Sequence, residues 1–134
     1  MSGERDLRTL LSGMRPELHE GRFVFCTVPG ATAVPAGLHP VATVLEAEGI
    51  TLVLPRDAAD AAGLPYDHVA GWITLRVHSA LDAVGLTGAF AAELAAHGLS
   101  CNVIAGFHHD HLFVPEDRAA EAVALLEALA ARSA

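Results

Sequence analysis

Basic residues are scarce in this chain and never cluster. Eight Lys+Arg stand against sixteen Asp+Glu, a formal charge of −8. That balance excludes nucleic acid and anionic membranes as main partners, because both need a phosphate-neutralising surface. Long apolar runs are missing too. None reaches the roughly 20 residues of a membrane span, and the charged start MSGERDLRTL is unlike a signal peptide. Cys26 and Cys101 sit apart inside apolar runs with no CxxC pair. This removes a thiol redox motif and a zinc knuckle and leaves two buried, reduced thiols. No GxSxG, P-loop or HExxH signature occurs. The expectation is a cytoplasmic protein with no cofactor, no nucleic-acid partner and no membrane partner.

What is present is apolar and aliphatic. Hydrophobic residues make up 52% of the 134 residues, charged ones 18% and aromatics 5%. A core of Leu, Val, Ala and Ile follows, in one body or in two very small units.

Leu7, Leu10, Leu11 and Met14 recur at helical spacing over 4–14, and Pro16 ends that helix. RFVFCTV (22–28) reads as a buried strand. Residues 29–40, with three prolines and two glycines, read as a loop. VATVLEA and ITLVL flank a tight turn at Glu48-Gly49, and a short helix follows over 56–62. WITLRV (72–77) alternates, with Ile73, Leu75 and Val77 on one face and Trp72, Thr74, Arg76 and His78 on the other. Residues 84–97 predict a helix with Leu86, Phe90, Leu94 and His97 along one stripe and Gly98 as its stop. SCNVIAG and HLFV are strands, and PEDRAAEAVALLEALAA is a helix with Pro115 at its start.

An internal repeat runs through this pattern. ITLVLPRDAADAA aligns with DHLFVPEDRAAEA at a constant offset of sixty, pairing Pro55 with Pro115 and Asp57 with Asp117. The offset puts the His108–His111 run, His-His-Asp-His, on the tip and first rung of a β-hairpin. Strand alternation sends His109 and His111 to one face and His108 and Asp110 to the other. The string is similar to the His-rich signature of metallo-β-lactamase-like hydrolases, but Gly106 stands at its first histidine position and the later ligands are missing. A structural or polar-pocket role, a ligand pocket and a metal site all stay open. No tightly bound metal is expected, and Asp110 is expected to raise the pKa of a neighbouring histidine.

From Trp72 to Ala131 the order is β-α-β-β-α, the ferredoxin-like order without its last strand. Asp82, Gly85, Leu86, Leu94 and Gly98, followed by SCNVIAGFHHDHLFVP, resemble the ACT domain. Over nearly the full length the chain resembles small stand-alone tandem ACT-domain proteins. The resemblance implies an α+β, ferredoxin-like fold of two ACT-like units with antiparallel sheets. The first, degenerate unit is expected over 1–68 and the second over 69–134. The second unit's fourth strand must come from elsewhere in the chain or from a partner, since an open edge would be left unpaired.

The resemblance further implies a non-enzymatic regulatory or sensing module, binding an amino acid or similar small ligand where units pack. By position, the ligand residues would be Asp82, Ala83, Val84 and Gly85, with Asn102, Val103 and Ile104. Asp82 also reads as the cap of the following helix. Asn102, in an expected central strand, either satisfies a backbone group or reaches the ligand. Arg76 either forks onto a ligand carboxylate or forms a cross-strand ion pair. His108 and Asp110 stand at the pocket rim. Ser79 beside His78 points the other way along a strand and makes no nucleophile pair. A homodimer is expected. The alternatives are a metal-binding protein or hydrolase built on the His108–His111 hairpin and a purely structural dimerisation module.

Overall fold

Residues 6–77 and 79–134 are described in the computed structural model of the protein; His78, expected beside Arg76, lies outside them. In chain order the elements are α1 (Leu7–Gly13), β1 (Arg15–Leu18), β2 (Phe23–Val28), β3 (Ala42–Glu46), β4 (Gly49–Pro55), α2 (Arg56–Ala61), β5 (Val69–Arg76), α3 (Leu86–Ala96), β6 (Asn102–Ala105), β7 (Asp110–Pro115) and α4 (Ala119–Arg132). They form two compact units. The minor unit is Gly21–Ala70; the major unit joins the chain up to Glu20 to Gly71–Ala134.

In the minor unit β4 pairs with β3 on one side and β2 on the other, and β2 pairs in turn with the first two residues of β5, all antiparallel. That is the 4-1-3-2 strand order of a ferredoxin-like unit, with one helix missing. The prolines and glycines of 29–40 hold only a 3-10 turn, Ala31–Ala33. Val34 and Leu38 from that loop, with Leu64 and Tyr66, cover a core of Val24, Cys26, Leu52, Leu54 and Ala59.

The major unit is complete. Its strands run β1-β5-β7-β6. The strand that sequence reading left unassigned is β1, which pairs antiparallel with β5 from Arg15↔Arg76 to Leu18↔Ile73. The fourth strand is therefore supplied within the chain. The division at 68/69 assigned residues up to Glu20 to the first unit, but β-pairing and core contacts put them in the other. Leu10 and Met14 are fully buried in the core formed by Ile73 and Leu75 of β5, Leu86, Phe90 and Leu94 of α3, Leu112 and Val114 of β7, and Leu126 of α4. The four-residue spacing of Leu86, Phe90 and Leu94 makes one buried stripe. His97 does not continue it. It is the C-cap, its side chain is exposed, and Nδ1 lies 3.1 Å from the Glu93 carbonyl. Arg118 donates to the freed carbonyls of His97 (2.8 Å) and Gly98 (3.3 Å), closing that helix end.

The repeat is visible in the strand registers. Ala42↔Val53 through Leu45↔Ile50 in one hairpin become Asn102↔Phe113 through Ala105↔Asp110 in the other, each residue shifted by sixty. Pro55 and Pro115 precede the following helical turns with nearly the same backbone angles, φ −55°, ψ 138° and φ −53°, ψ 130°. The first hairpin's turn is Ala47-Glu48, one residue before the expected pair, because Gly49 already pairs with Glu46.

Candidate functional site

A small cavity of about 150 Å³ opens in the major unit between two segments. One is the connection after β5 with the first turn of α3, from Ser79 to Gly88. The other is the β6–β7 hairpin, through Ala105, Gly106 and Asp110. The lining side chains are small except for Leu81, Leu86 and Asp110, so backbone lies close to the space.

The start of α3 is built by Gly85. Its φ of 101° is left-handed, a conformation that favours glycine, and the helix begins at Leu86 without a side-chain cap. The first N–H groups of a helix have no intrahelical acceptor, so they remain available to a ligand. Asp82 does not cap α3 as expected. It lies three residues before the cap position that Gly85 takes and is exposed.

Asp110 faces the same space. Its carboxylate makes no hydrogen bond to any described residue. Burial raises its pKa above the usual 3.8, while His109 pulls the other way. A half-buried carboxylate with a raised pKa at a cavity wall can receive a cation or a hydrogen-bond donor.

The other expected site residues are distributed more widely. Ala83 and Gly85 line the cavity beside Asp110, whereas Val84 is exposed outside it. Asn102 is exposed because β6 is an edge strand of its sheet, not a central one. Val103 packs against the core, and Ile104 lies on the opposite face, in register with His111. Arg76 pairs with Glu17 across β1 and β5, Nε and Nη2 both reaching Oε1, at 3.0 and 2.5 Å. His108 is exposed in the hairpin turn, edge-on to Phe107. Ala80, Leu81, Thr87, Gly88 and Ala105 line the cavity without having been singled out, and Ser79 and Gly106, weighed only for other roles, line it too. A lining made of backbone and small side chains leaves no chemical signature in a sequence.

The histidine run does not converge. Asp110 faces the cavity, whereas His111 meets Trp72 and Thr74. His109 Nδ1 is buried without a hydrogen-bond partner among the described residues. No three His, Cys, Asp or Glu side chains among those residues stand close enough to share an ion. The pKa of His111 is lowered, not raised: burial acts first, then the positive charges of His109, His19 and Arg76. The expected effect of Asp110 does not reach His111, because alternation turns its carboxylate to the other side of the strand; the charge that acts on Asp110 is that of His109. Both cysteines are free. Cys26 is buried, while Cys101 is half-buried and its thiol is pushed up to about 11 by desolvation.

No helix among the described residues is long and apolar enough to cross a membrane. A search of curated proteins returns no match. Among solved structures, a protein of unknown function from Vibrio cholerae, VC0802, described as a possible transport protein, is 51% identical. It has a TM-score of 0.84 over 92% of this chain and 95% of that one. Protein Atu0741 from Agobacterium tumefaciens shares the fold at 20% identity, with a TM-score of 0.65 over 87% of this chain and 89% of that one. The regulatory subunit of aspartate kinase from Thermus flavus shares it at 8% identity, with a TM-score of 0.60 over 96% and 99%. Two ACT-domain family models match in tandem, over residues 2–71 and 67–128. The first alone spans more than half of the chain, which belongs to the ACT-domain family and carries two ACT units in tandem.

Proposed function

We propose that the major unit is a non-enzymatic sensing module for a small amino acid in the cytoplasm, and that the cavity beside Asp110 is where it binds. ACT domains are often regulatory modules for small ligands, and this chain carries two ACT domains. The observation that carries the reading is the pairing of opposite characters around one small space. Asp110 offers a half-buried carboxylate on the hairpin side, and the uncapped first turn of α3 offers N–H groups on the other. A zwitterion fits that pair, its ammonium on Asp110 and its carboxylate on the helix start. The small volume of the space, about 150 Å³, favours a small side chain.

A second copy of the chain completes the module. Leu81 (70% exposed), Val84 (83%) and Phe107 (72%) stand beside the cavity or next to residues that line it. Exposed apolar side chains gathered in this way mark an interaction surface. Light scattering at micromolar concentration is expected to show a homodimer; a monomer removes this part of the reading.

Thermal shift with the standard amino acids tests the ligand. A small amino acid present at a hundred times its dissociation constant adds about 2.7 kcal/mol to stability. Asp110→Asn is expected to abolish that shift. The same variant should melt higher than the parent when no ligand is present. A carboxyl whose folded pKa is raised contributes stability below its unfolded value of 3.8 and loses it as pH rises through the folded value. At neutral pH the buried charge is therefore a cost, and the amide removes it. If no amino acid shifts the parent, the sensing role is wrong. If Asp110→Asn binds as well as the parent, the site is misplaced.

A further inference from the structure

The outer face of the major unit's sheet carries a chain of polar groups that the cavity does not use. Thr74 is only 2% exposed there. Its Oγ1 lies 2.7 Å from Nε2 of His19 and 3.1 Å from Nδ1 of His111. The indole N–H of Trp72 donates to the same Nδ1 at 3.1 Å. His19 stacks on Trp72 with ring centroids 3.6 Å apart.

These contacts determine where the protons sit. An indole nitrogen only donates, so Nδ1 of His111 must be bare, and the ring must be neutral with its proton on Nε2. The single hydroxyl proton of Thr74 then points to Nδ1 of His111, and its oxygen accepts from Nε2–H of His19. In this order no donor faces a donor, and the Trp72 N–H and Thr74 O–H share the one lone pair of Nδ1.

The other edge of the His111 ring rests on the hairpin turn. A Cβ built on Gly106 would lie 3.1 Å from Nε2 of His111 and 2.8 Å from the His109 carbonyl oxygen. The Gly106 N–H donates to that same carbonyl at 2.9 Å. Ala105, Gly106 and Asp110 are what the hairpin contributes to the cavity wall. The imidazole is held between β5 and that wall.

We propose that His111 is a proton-operated latch: neutral, it ties the β6–β7 turn to Trp72 and Thr74, and protonated, it lets go and frees the cavity wall to move. Its role in regulation rests on the reading of the cavity as a ligand site. In the imidazolium, Nδ1–H opposes the Trp72 N–H, donor against donor, and the indole cannot reverse. Thr74 can turn to accept from Nδ1–H with its second lone pair, but its own proton then loses Nδ1 as its acceptor. Among the described residues, the charged and titratable groups that act on the ring are His19, just after β1, Arg76 of β5 with its partner Glu17, and His109 of its own hairpin, while Asp110 faces the cavity and His108 is exposed in the turn. Burial is the largest influence holding His111 below the ordinary 6.5, and His109, His19 and Arg76 push the same way. His19 is lowered too, by burial first, with Glu17 opposing and Arg76 assisting. A histidine depressed in the folded state is outcompeted for protons by the unfolded chain. The stability it allows is full above about pH 6.5 and falls as pH drops through the window below that value.

Trp72 is the single tryptophan of the chain and therefore reports on the latch directly. In the ligand-free protein its fluorescence is expected to change in one step centred below pH 6.5. The amide resonances of Gly106 and Asp110 should follow the same midpoint. His111→Gln should remove the step, and His19→Gln should keep it. Because a variant at a packed position can misfold, the imidazole nitrogen resonances of the unsubstituted protein provide the independent reading. At pH 7.5 they should show Nδ1 of His111 bare and Nε2 protonated. A protonated Nδ1 at that pH overturns the latch, as does a fluorescence step that survives in His111→Gln. A step that leaves the Gly106 and Asp110 amides unmoved overturns the coupling to the wall. All of these are measured without ligand, so their failure is distinct from failure of the amino-acid screen.

Discussion

The two units share one plan and one hairpin register, yet only the major one has its full set of helices. In the minor unit α2 packs against β2 and β4, and loop residues take the place of the other helix. In the major unit α3 and α4 pack on each other, and α1 adds a third layer partner to both. The difference shows why a cavity of the kind proposed belongs to the major unit. Its two walls are a helix start and a hairpin turn. A loop of prolines and glycines supplies no aligned N–H groups where α3 begins.

The largest expected effect tests whether the N-terminal segment is truly part of the major core. Leu10 and Met14 are both 0% exposed in it. Replacing a buried Leu or Met by Ala costs about 2–5 kcal/mol each. The double variant Leu10→Ala/Met14→Ala should therefore lose a large share of a total that is typically about 5–15 kcal/mol. Val34→Ala/Leu38→Ala, the matching change in the loop that covers the minor unit, should lose much less, because both side chains are only partly buried. Urea unfolding of the two variants decides it. Equal losses would mean that the loop covers its core as a helix does.

How much of this was legible follows from the same contrast. The hairpins were visible because a register shift of one residue turns every side chain to the wrong face, so the sixty-residue offset had to be kept. The polar face of β5 was visible in its alternation. Strand β1 was not. Four residues, one of them proline and three of them exposed, carry no periodic signal. Its place is dictated by what it pairs with, not by its own composition. His19 went unnoticed for the same reason, since its partners Trp72 and Thr74 lie 53 and 55 residues away. Asp82 misled because an acidic residue ahead of a helix resembles a cap, while Gly85 controls where the helix begins.

A second test exchanges residues between the hairpins. Gly49 and His109 occupy equivalent positions at the ends of the two turns. Gly49 has φ 152°, and a Cβ there would press on the Val28 carbonyl oxygen. His109 has no positive φ. Gly49→His should destabilise the protein by roughly 1–3 kcal/mol, from backbone strain and crowding together. The measurement is the urea midpoint at constant slope. A neutral substitution would show that the two turns are interchangeable in shape as well as in register.

The smallest effect concerns the pair Glu17 and Arg76, at the edge that completes the major unit. Arg76 was a candidate for a ligand carboxylate, and its position beside β1 offers a different occupation. Both side chains are about half exposed, 47% and 51%. An exposed ion pair contributes about 0.2–1 kcal/mol, and salt screens it. A double-mutant cycle of Glu17→Ala and Arg76→Ala should therefore give a coupling within that range that shrinks in high salt. Arg76→Ala should leave any amino-acid-induced thermal shift unchanged, because Arg76 is not among the residues that line the cavity. A loss of that shift, with the cycle near zero, would return Arg76 to the ligand and make the pairing with Glu17 incidental. The expected result assigns the arginine to holding the fourth strand, the element by which the major unit differs most from what its own half of the sequence provides.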